Sequence, residues 1–140
     1  MVHKCEINHI DHVGIAVKDI YKSINFFTTI FDMPKPEVSE ILDQQVKATL
    51  IEVGETRIEL LEPTHPDSPV GRFLTNKGEG LHHLALNVES ISEKIDVLKQ
   101  LDIDLIDQTP REGLSGTIAF IHPKAVFGVL TELVESDISE

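Results

Sequence analysis

The 140-residue sequence predicts an α+β fold built from two tandem repeats, each a strand, a helix and a run of strands. Two alignments carry this reading. His12-Val13-Gly14-Ile15-Ala16-Val17-Lys18-Asp19-Ile20 matches His83-Leu84-Ala85-Leu86-Asn87-Val88-Glu89-Ser90-Ile91 without a gap, and Ile24, Phe26 and Phe27 continue onto Ile95, Val97 and Leu98. Further on, Ala48-Thr49-Leu50-Ile51 resembles Ile118-Ala119-Phe120-Ile121, and Ile58-Glu59-Leu60-Leu61-Glu62 resembles Thr131-Glu132-Leu133-Val134-Glu135. Short apolar patterns match by chance. Agreement over strand, helix and later strand is much rarer.

The elements follow from periodicity. Residues 9–17 alternate with period two, as do residues 82–88, and both read as strands. Asp19 suits the N-cap of a helix that carries Ile20, Ile24, Phe27 and Phe31 at helical spacing. Ser90 and Glu93 form a capping-box pattern ahead of Ile91, Ile95, Leu98 and Leu101. Strands are expected near 46–53, 56–62, 117–122 and 128–135, with Val53-Gly54-Glu55-Thr56 as a hairpin turn in which Gly54 supplies the permissive backbone. Pro63 to Pro69 reads as loop, Ser68-Pro69 opens a short helix through Phe73 and Leu74, and Gly78-Glu79-Gly80 ends that connector. The whole is read as one domain, with repeat one at about 8–63, a connector at about 64–79 and repeat two at about 80–136. The acidic tail after Glu135 is expected to fray.

Composition narrows the function. Hydrophobic residues make up 41% and charged residues 26%, as in ordinary globular chains. No apolar run approaches the roughly 18 residues of a membrane span, and the N-terminus has no apolar stretch of a secretory signal. The net charge of −12, with basic residues scattered singly, disfavours nucleic acid and anionic membrane as partners. Cys5 is the only cysteine, so an internal disulfide is impossible, a cytoplasmic setting is the default, and Cys5 reads as an incidental small residue. A cytosolic small-molecule protein fits best.

Strand parity then sorts the polar residues. Val13, Ile15 and Val17 share one face, as do Leu84, Leu86 and Val88, and these bulky faces are expected to lie against the helices. His12, Gly14 and Ala16 share the other face, as do His83, Ala85 and Asn87, which places a histidine among small neighbours, as in a cavity lining. One strand histidine is usually structural; two at equivalent repeat positions raise metal binding substantially. Glu59 and Glu132 are also equivalent, and alternation groups them with Leu61 and with Leu130 and Val134 rather than with a wet face. A carboxylate buried there needs a cation. Two imidazoles and two carboxylates suit Mn, Co, Ni, Fe or Zn in an octahedral shell with two open positions.

The paired modules and the His, Glu, His, Glu set resemble the vicinal oxygen chelate superfamily, which includes glyoxalases, bleomycin-resistance proteins and dioxygenases. The resemblance covers nearly the whole chain. Within it, Asp11 to Val17, Ile58 to Pro63, Gly80-Leu81-His82-His83, Ala119 to Lys124 and Gly128 to Leu133 resemble the methylmalonyl-CoA epimerase family. The tandem His82-His83 and the Phe-x-His-Pro-Lys stretch are the more specific of these motifs. The resemblance implies a βαβββ module used twice, a curved mixed sheet around a metal, and usually a homodimer. By matching position, the ligands would be His12, Glu59, His83 and Glu132, holding a divalent ion (Co, Mn, Ni or Zn).

The implied reaction is epimerisation of methylmalonyl-CoA, or a related acyl-CoA, between its 2R and 2S forms. The carboxylate and thioester oxygens would take the two open metal positions, and the metal would stabilise the enolate. Inversion favours two acid/base groups. Glu132 would be one; either Glu59, His122 or water serves as the other, or the substrate differs. Some epimerases carry a glutamate after a Glu-Gln-Gly-Val-like stretch; here Asp43-Gln44-Gln45-Val46-Lys47-Ala48 has Gln45 in place of the Gly and Ala48 in place of that base. His122, before Pro123, reads equally as a turn histidine. Arg111, Lys124 and Ser115 are candidates for the coenzyme A phosphates or for a loop over the site, although solvation alone accounts for each basic residue. A glyoxalase I-like lyase, an extradiol-type dioxygenase and a metal-free binding protein are the competing readings on this scaffold.

Overall fold

The computed structural model describes residues 6–136. Cys5 and the acidic end from Asp137 onward, on which two expectations above fall, lie outside the described residues. In chain order the elements are β1 (Ile7–Ala16), α1 (Ile20–Thr29), β2 (Ser39–Ile41), β3 (Val46–Val53), β4 (Thr56–Pro63), α2 (Pro69–Lys77), β5 (Gly80–Val88), α3 (Ile91–Gln100), β6 (Arg111–Gly113), β7 (Gly116–Ile121), a 3-10 turn (Pro123–Val126) and β8 (Thr131–Glu135). The order βαβββ therefore occurs twice, with α2 between, and the fold is mixed α+β. The short strands β2 and β6 carry too little alternation to be placed from sequence.

Two compact units divide the described residues. Residues 12–82 form one, and residues 6–11 with 83–136 form the other, so β1 contributes its second half to the first and its first half to the second. In the first unit the strand order is β2-β3-β4-β1; in the second it is β1-β5-β8-β7-β6. Each has one parallel pair built in the same register. Gly14 lies beside Glu59 on β1 and β4, and Ala85 lies beside Glu132 on β5 and β8.

The caps explain where the helices begin. The Asp19 carboxylate accepts the N–H groups of Tyr21 and Lys22, and Ser68 accepts that of Gly71 with Pro69 in the first turn. Ser90 accepts from Glu93 N, the half of the capping box that starts α3. Helix α1 stops at Thr29, so Phe31, expected on the buried stripe, is exposed beyond its end. Helix α2 runs three residues further than expected, to Lys77, and ends at Gly78 with φ +83°. The hairpin turn falls between Val53 and Thr56 with Gly54 at φ +58°.

In the first unit Val17, Ile20, Ile24, Ile51 and Leu60 are buried together, with Ile15 and Phe27 against them. In the second, Val88, Ile91, Ile95, Leu105, Ala119, Ile121 and Leu133 form the corresponding cluster. The bulky strand faces thus meet the helices, but only in part: Val13, Leu84 and Leu86 remain half-buried. A ten-residue helix spans about 15 Å and covers only the strand ends nearest its own start.

Candidate functional site

Each repeat builds the same pair of side chains. In the first, His12 and Gly14 lie on one face of β1, and Gly14 is the register partner of Glu59. The small residue between them leaves room for the imidazole to lean along the strand toward the carboxylate. His12 Nε2 and Glu59 Oε1 are 3.2 Å apart. In the second, Ala85 takes the place of Gly14, and His83 Nε2 lies 3.1 Å from Glu132 Oε1. The four residues are between 2% and 6% exposed. Leu61 and Val134, two residues along from the glutamates, are also buried, as the alternation requires.

These pairs offer nitrogen and oxygen donors of the kind that hold Mn, Co, Ni or Zn. Adjacent ligands each about 2.1 Å from one ion, at right angles, lie about 3.0 Å from one another. The observed separations match that spacing, so each pair fits a divalent ion without rearrangement; they match a hydrogen bond equally well. In either state the burial is tolerable only because donor and acceptor face each other, since an ionised group stranded there costs several kcal/mol.

The neighbours of these pairs settle several other expectations. Of the tandem histidines, His83 faces Glu132, and His82, on the opposite face of the strand, meets the Phe73 ring edge-on, with centroids 4.9 Å apart. His122 Nδ1 accepts the N–H of Lys124 at 3.1 Å and caps the 3-10 turn, which is the turn-histidine role. Ala48 is fully buried on β3 beside Leu61, so no acid or base stands at the position where some epimerases carry one. Gln45 has φ +57°, the left-handed region in which a glycine is at ease. Arg111 is bound to Asp107 at 3.2 Å, and Ser115 Oγ donates to the buried Asp11 at 3.4 Å. Lys124 is exposed.

Two residues escaped the sequence reading. Phe120 is the register partner of Glu132, and its ring stands edge-on to His83 with centroids 5.7 Å apart. Asp107 accepts the Phe120 N–H at 2.8 Å. Phe120 lay inside a recognised stretch as one more apolar strand residue, and Asp107 lay in a loop without periodicity.

With that geometry in place, comparison with known proteins is informative. The family model described as Glyoxalase/Bleomycin resistance protein/Dioxygenase superfamily matches residues 11–120. The mitochondrial methylmalonyl-CoA epimerase of Dictyostelium discoideum is 32% identical over 137 residues, which is 96% of this chain and 82% of that one. The chain belongs to this superfamily and, within it, to the methylmalonyl-CoA epimerase family. The uncharacterized protein YqjC of Bacillus subtilis (strain 168) is 38% identical over 130 residues, covering 92% of this chain and 93% of its own. The structure of a methylmalonyl-CoA epimerase in complex with methylmalonyl-CoA and NH4+ superimposes with a TM-score of 0.92 at 32% identity, covering 96% of this chain and 99% of that one. No helix among the described residues is long and apolar enough to cross a membrane.

Proposed function

We propose that this protein is an epimerase that interconverts the 2R and 2S forms of methylmalonyl-CoA. The observation that carries the reading is the repeated buried pair, His12 with Glu59 and His83 with Glu132, in a chain of the epimerase family. In this reading His12, Glu59, His83 and Glu132 would hold one divalent ion. Such an ion supplies Lewis-acid stabilisation of the charge that develops on the thioester oxygen.

The chain's own groups then have distinct tasks. His12 and His83 contribute neutral nitrogen donors and leave the site's charge balance to the glutamates. Glu132 takes the proton from C2 at one face, and the electron pair of that C–H bond passes into the thioester as an enolate. Glu59, at the equivalent position of the other repeat, returns a proton to the opposite face. Ala48 puts no carboxylate at its own position on β3, and this reading gives both roles to Glu59 and Glu132. Burial of both glutamates keeps bulk water from competing for the proton. We further propose a homodimer, as the resemblance implies, and a cytoplasmic location, supported by the single cysteine; the Dictyostelium relative is named as mitochondrial.

Incubating the purified protein with (2R)-methylmalonyl-CoA in deuterated water, with Co2+ or Mn2+, tests the reaction. Deuterium should enter C2 as the optical purity falls. Absence of exchange with Co2+, Mn2+, Ni2+ and Zn2+ in turn would overturn the reading. Turnover of the methylglyoxal–glutathione adduct under the same conditions would replace it with a lyase.

A further inference from the structure

The two repeats are not equivalent behind their histidines. In the first, the residue paired with Glu59 across the β3–β4 ladder is Leu50; in the second, the residue paired with Glu132 across β7–β8 is Phe120. The aromatic ring in the second repeat meets the His83 imidazole edge-on, at 5.7 Å and 82°. The Arg111 guanidinium lies over the same ring, 5.7 Å from its centroid. Asp107 ties this arrangement together. One carboxylate oxygen accepts Arg111 Nε at 3.2 Å, and the other accepts the Phe120 N–H at 2.8 Å. The N–H groups of Ile106 and Asp107 both donate back to the Phe120 carbonyl, at 3.0 and 3.2 Å. The N–H and the carbonyl of Phe120 are therefore both held by one loop, and its ring contacts both a cation and an imidazole.

We infer that Phe120, clamped by Asp107 and Arg111, is a positioning residue that fixes the plane of the His83 ring toward Glu132. The inference rests on the reading of His83 as a metal ligand. An imidazole on a strand has two rotatable bonds, and its aim decides whether Nε2 meets an ion along its lone pair. The groups packed against the ring help to fix that aim. The Phe120 ring and the imidazole meet edge to face, at 82°, an arrangement that aromatic quadrupoles favour. Arg111, tied to Asp107, adds a cation–π contact to the same ring. The first repeat, with Leu50, does without this device.

That difference supplies the test, because Phe120→Leu gives the second repeat the residue that the first already accommodates. Co2+ alone is titrated into the wild-type protein, Phe120→Leu, Phe120→Tyr and Arg111→Met, following heat and the visible absorption of the bound ion; urea unfolding of the metal-free proteins runs alongside. Loss of Phe120 should weaken Co2+ binding about tenfold and change the absorption envelope. Phe120→Tyr, which keeps the ring, should stay within about twofold. Arg111→Met, at a half-exposed side chain whose loss leaves the core intact, should weaken binding by a smaller factor and shift the envelope in the same direction. If Phe120→Leu is too unstable to titrate, the Arg111→Met result decides alone. Wild-type affinity and absorption in the substituted proteins, even with a lower urea midpoint, would overturn the positioning role and leave the proposed function standing. A wild-type protein that binds none of Co2+, Mn2+, Ni2+ and Zn2+ would overturn both.

Discussion

Glu135 Oε1 accepts the backbone N–H of Ile91 at 2.8 Å, and so closes the end of β8 onto the first turn of α3. Glu62 does the same for Ile20 at the start of α1, at the same distance. Each carboxylate lies three residues beyond the buried glutamate of its strand, Glu59 or Glu132. The bond satisfies a helix N–H that has no intrahelical partner and sets a negative charge at the positive end of the helix dipole. Glu135→Ala and Glu62→Ala should each lower stability by about 1–2 kcal/mol. Urea unfolding checks this, and midpoints unchanged from wild type would show that water replaces the carboxylate at no cost.

Gln45 makes the opposite prediction. Its φ of +57° places a side chain in the left-handed region, at a turn whose carbonyl accepts the N–H of Thr64 at 2.8 Å. Glycine relieves a conformational cost of about 1–2 kcal/mol there but adds unfolded-chain entropy worth about 0.4–1 kcal/mol. Since the side chain is exposed and the backbone bond survives, Gln45→Gly should raise stability by about 0.5–1 kcal/mol. A thermal melt reads the sign directly, and a lower midpoint would contradict the argument.

Gly116 shows the converse case. It opens β7 with φ +141°, and a Cβ there would fall 2.4 Å from the carbonyl oxygen of Glu135. That atom is backbone of the strand that carries Glu132, so it cannot yield as a flexible side chain would. Gly116→Ala should therefore destabilise the protein by about 2–4 kcal/mol. It should also disturb the β7–β8 ladder, which hydrogen exchange at Ala119 and Leu133 would report as faster exchange than in the wild type. Exchange and stability equal to wild type would refute it.

The sequence was legible where local pattern and tertiary demand coincide. The repeat alignment placed His12 with His83 and Glu59 with Glu132, and period-two alternation put each on the face where it is buried. Asp19 and Ser90 declared their helices because a capping side chain acts within three residues of itself. Contacts between distant segments left no such trace. The Glu62 and Glu135 caps reach back 42 and 44 residues, and only their equivalence in the alignment hinted at them. Asp107 meets Phe120 from a loop with no periodicity, and no local rule announces a backbone bond of that kind. Phe31 failed for a different reason: the apolar spacing continues past Thr29, but the helix does not.

Removing a histidine separates the metal reading from mere burial. A bound ion stabilises the folded chain by RT ln(1 + [L]/Kd), about 2.7 kcal/mol at a hundredfold excess over Kd. The wild-type melting temperature should therefore climb as Co2+ or Mn2+ is added and fall back with a chelator. His83→Ala deletes one donor and leaves Glu132 buried without its imidazole, so the metal-free variant should lose roughly 3–5 kcal/mol. More diagnostic is the response to metal: the variant's melting temperature should barely move with added Co2+. His12→Ala should behave in the same way, because its pair with Glu59 is built identically. If either variant gained as much from Co2+ as the wild type, that histidine would be a structural partner of its glutamate and not a ligand.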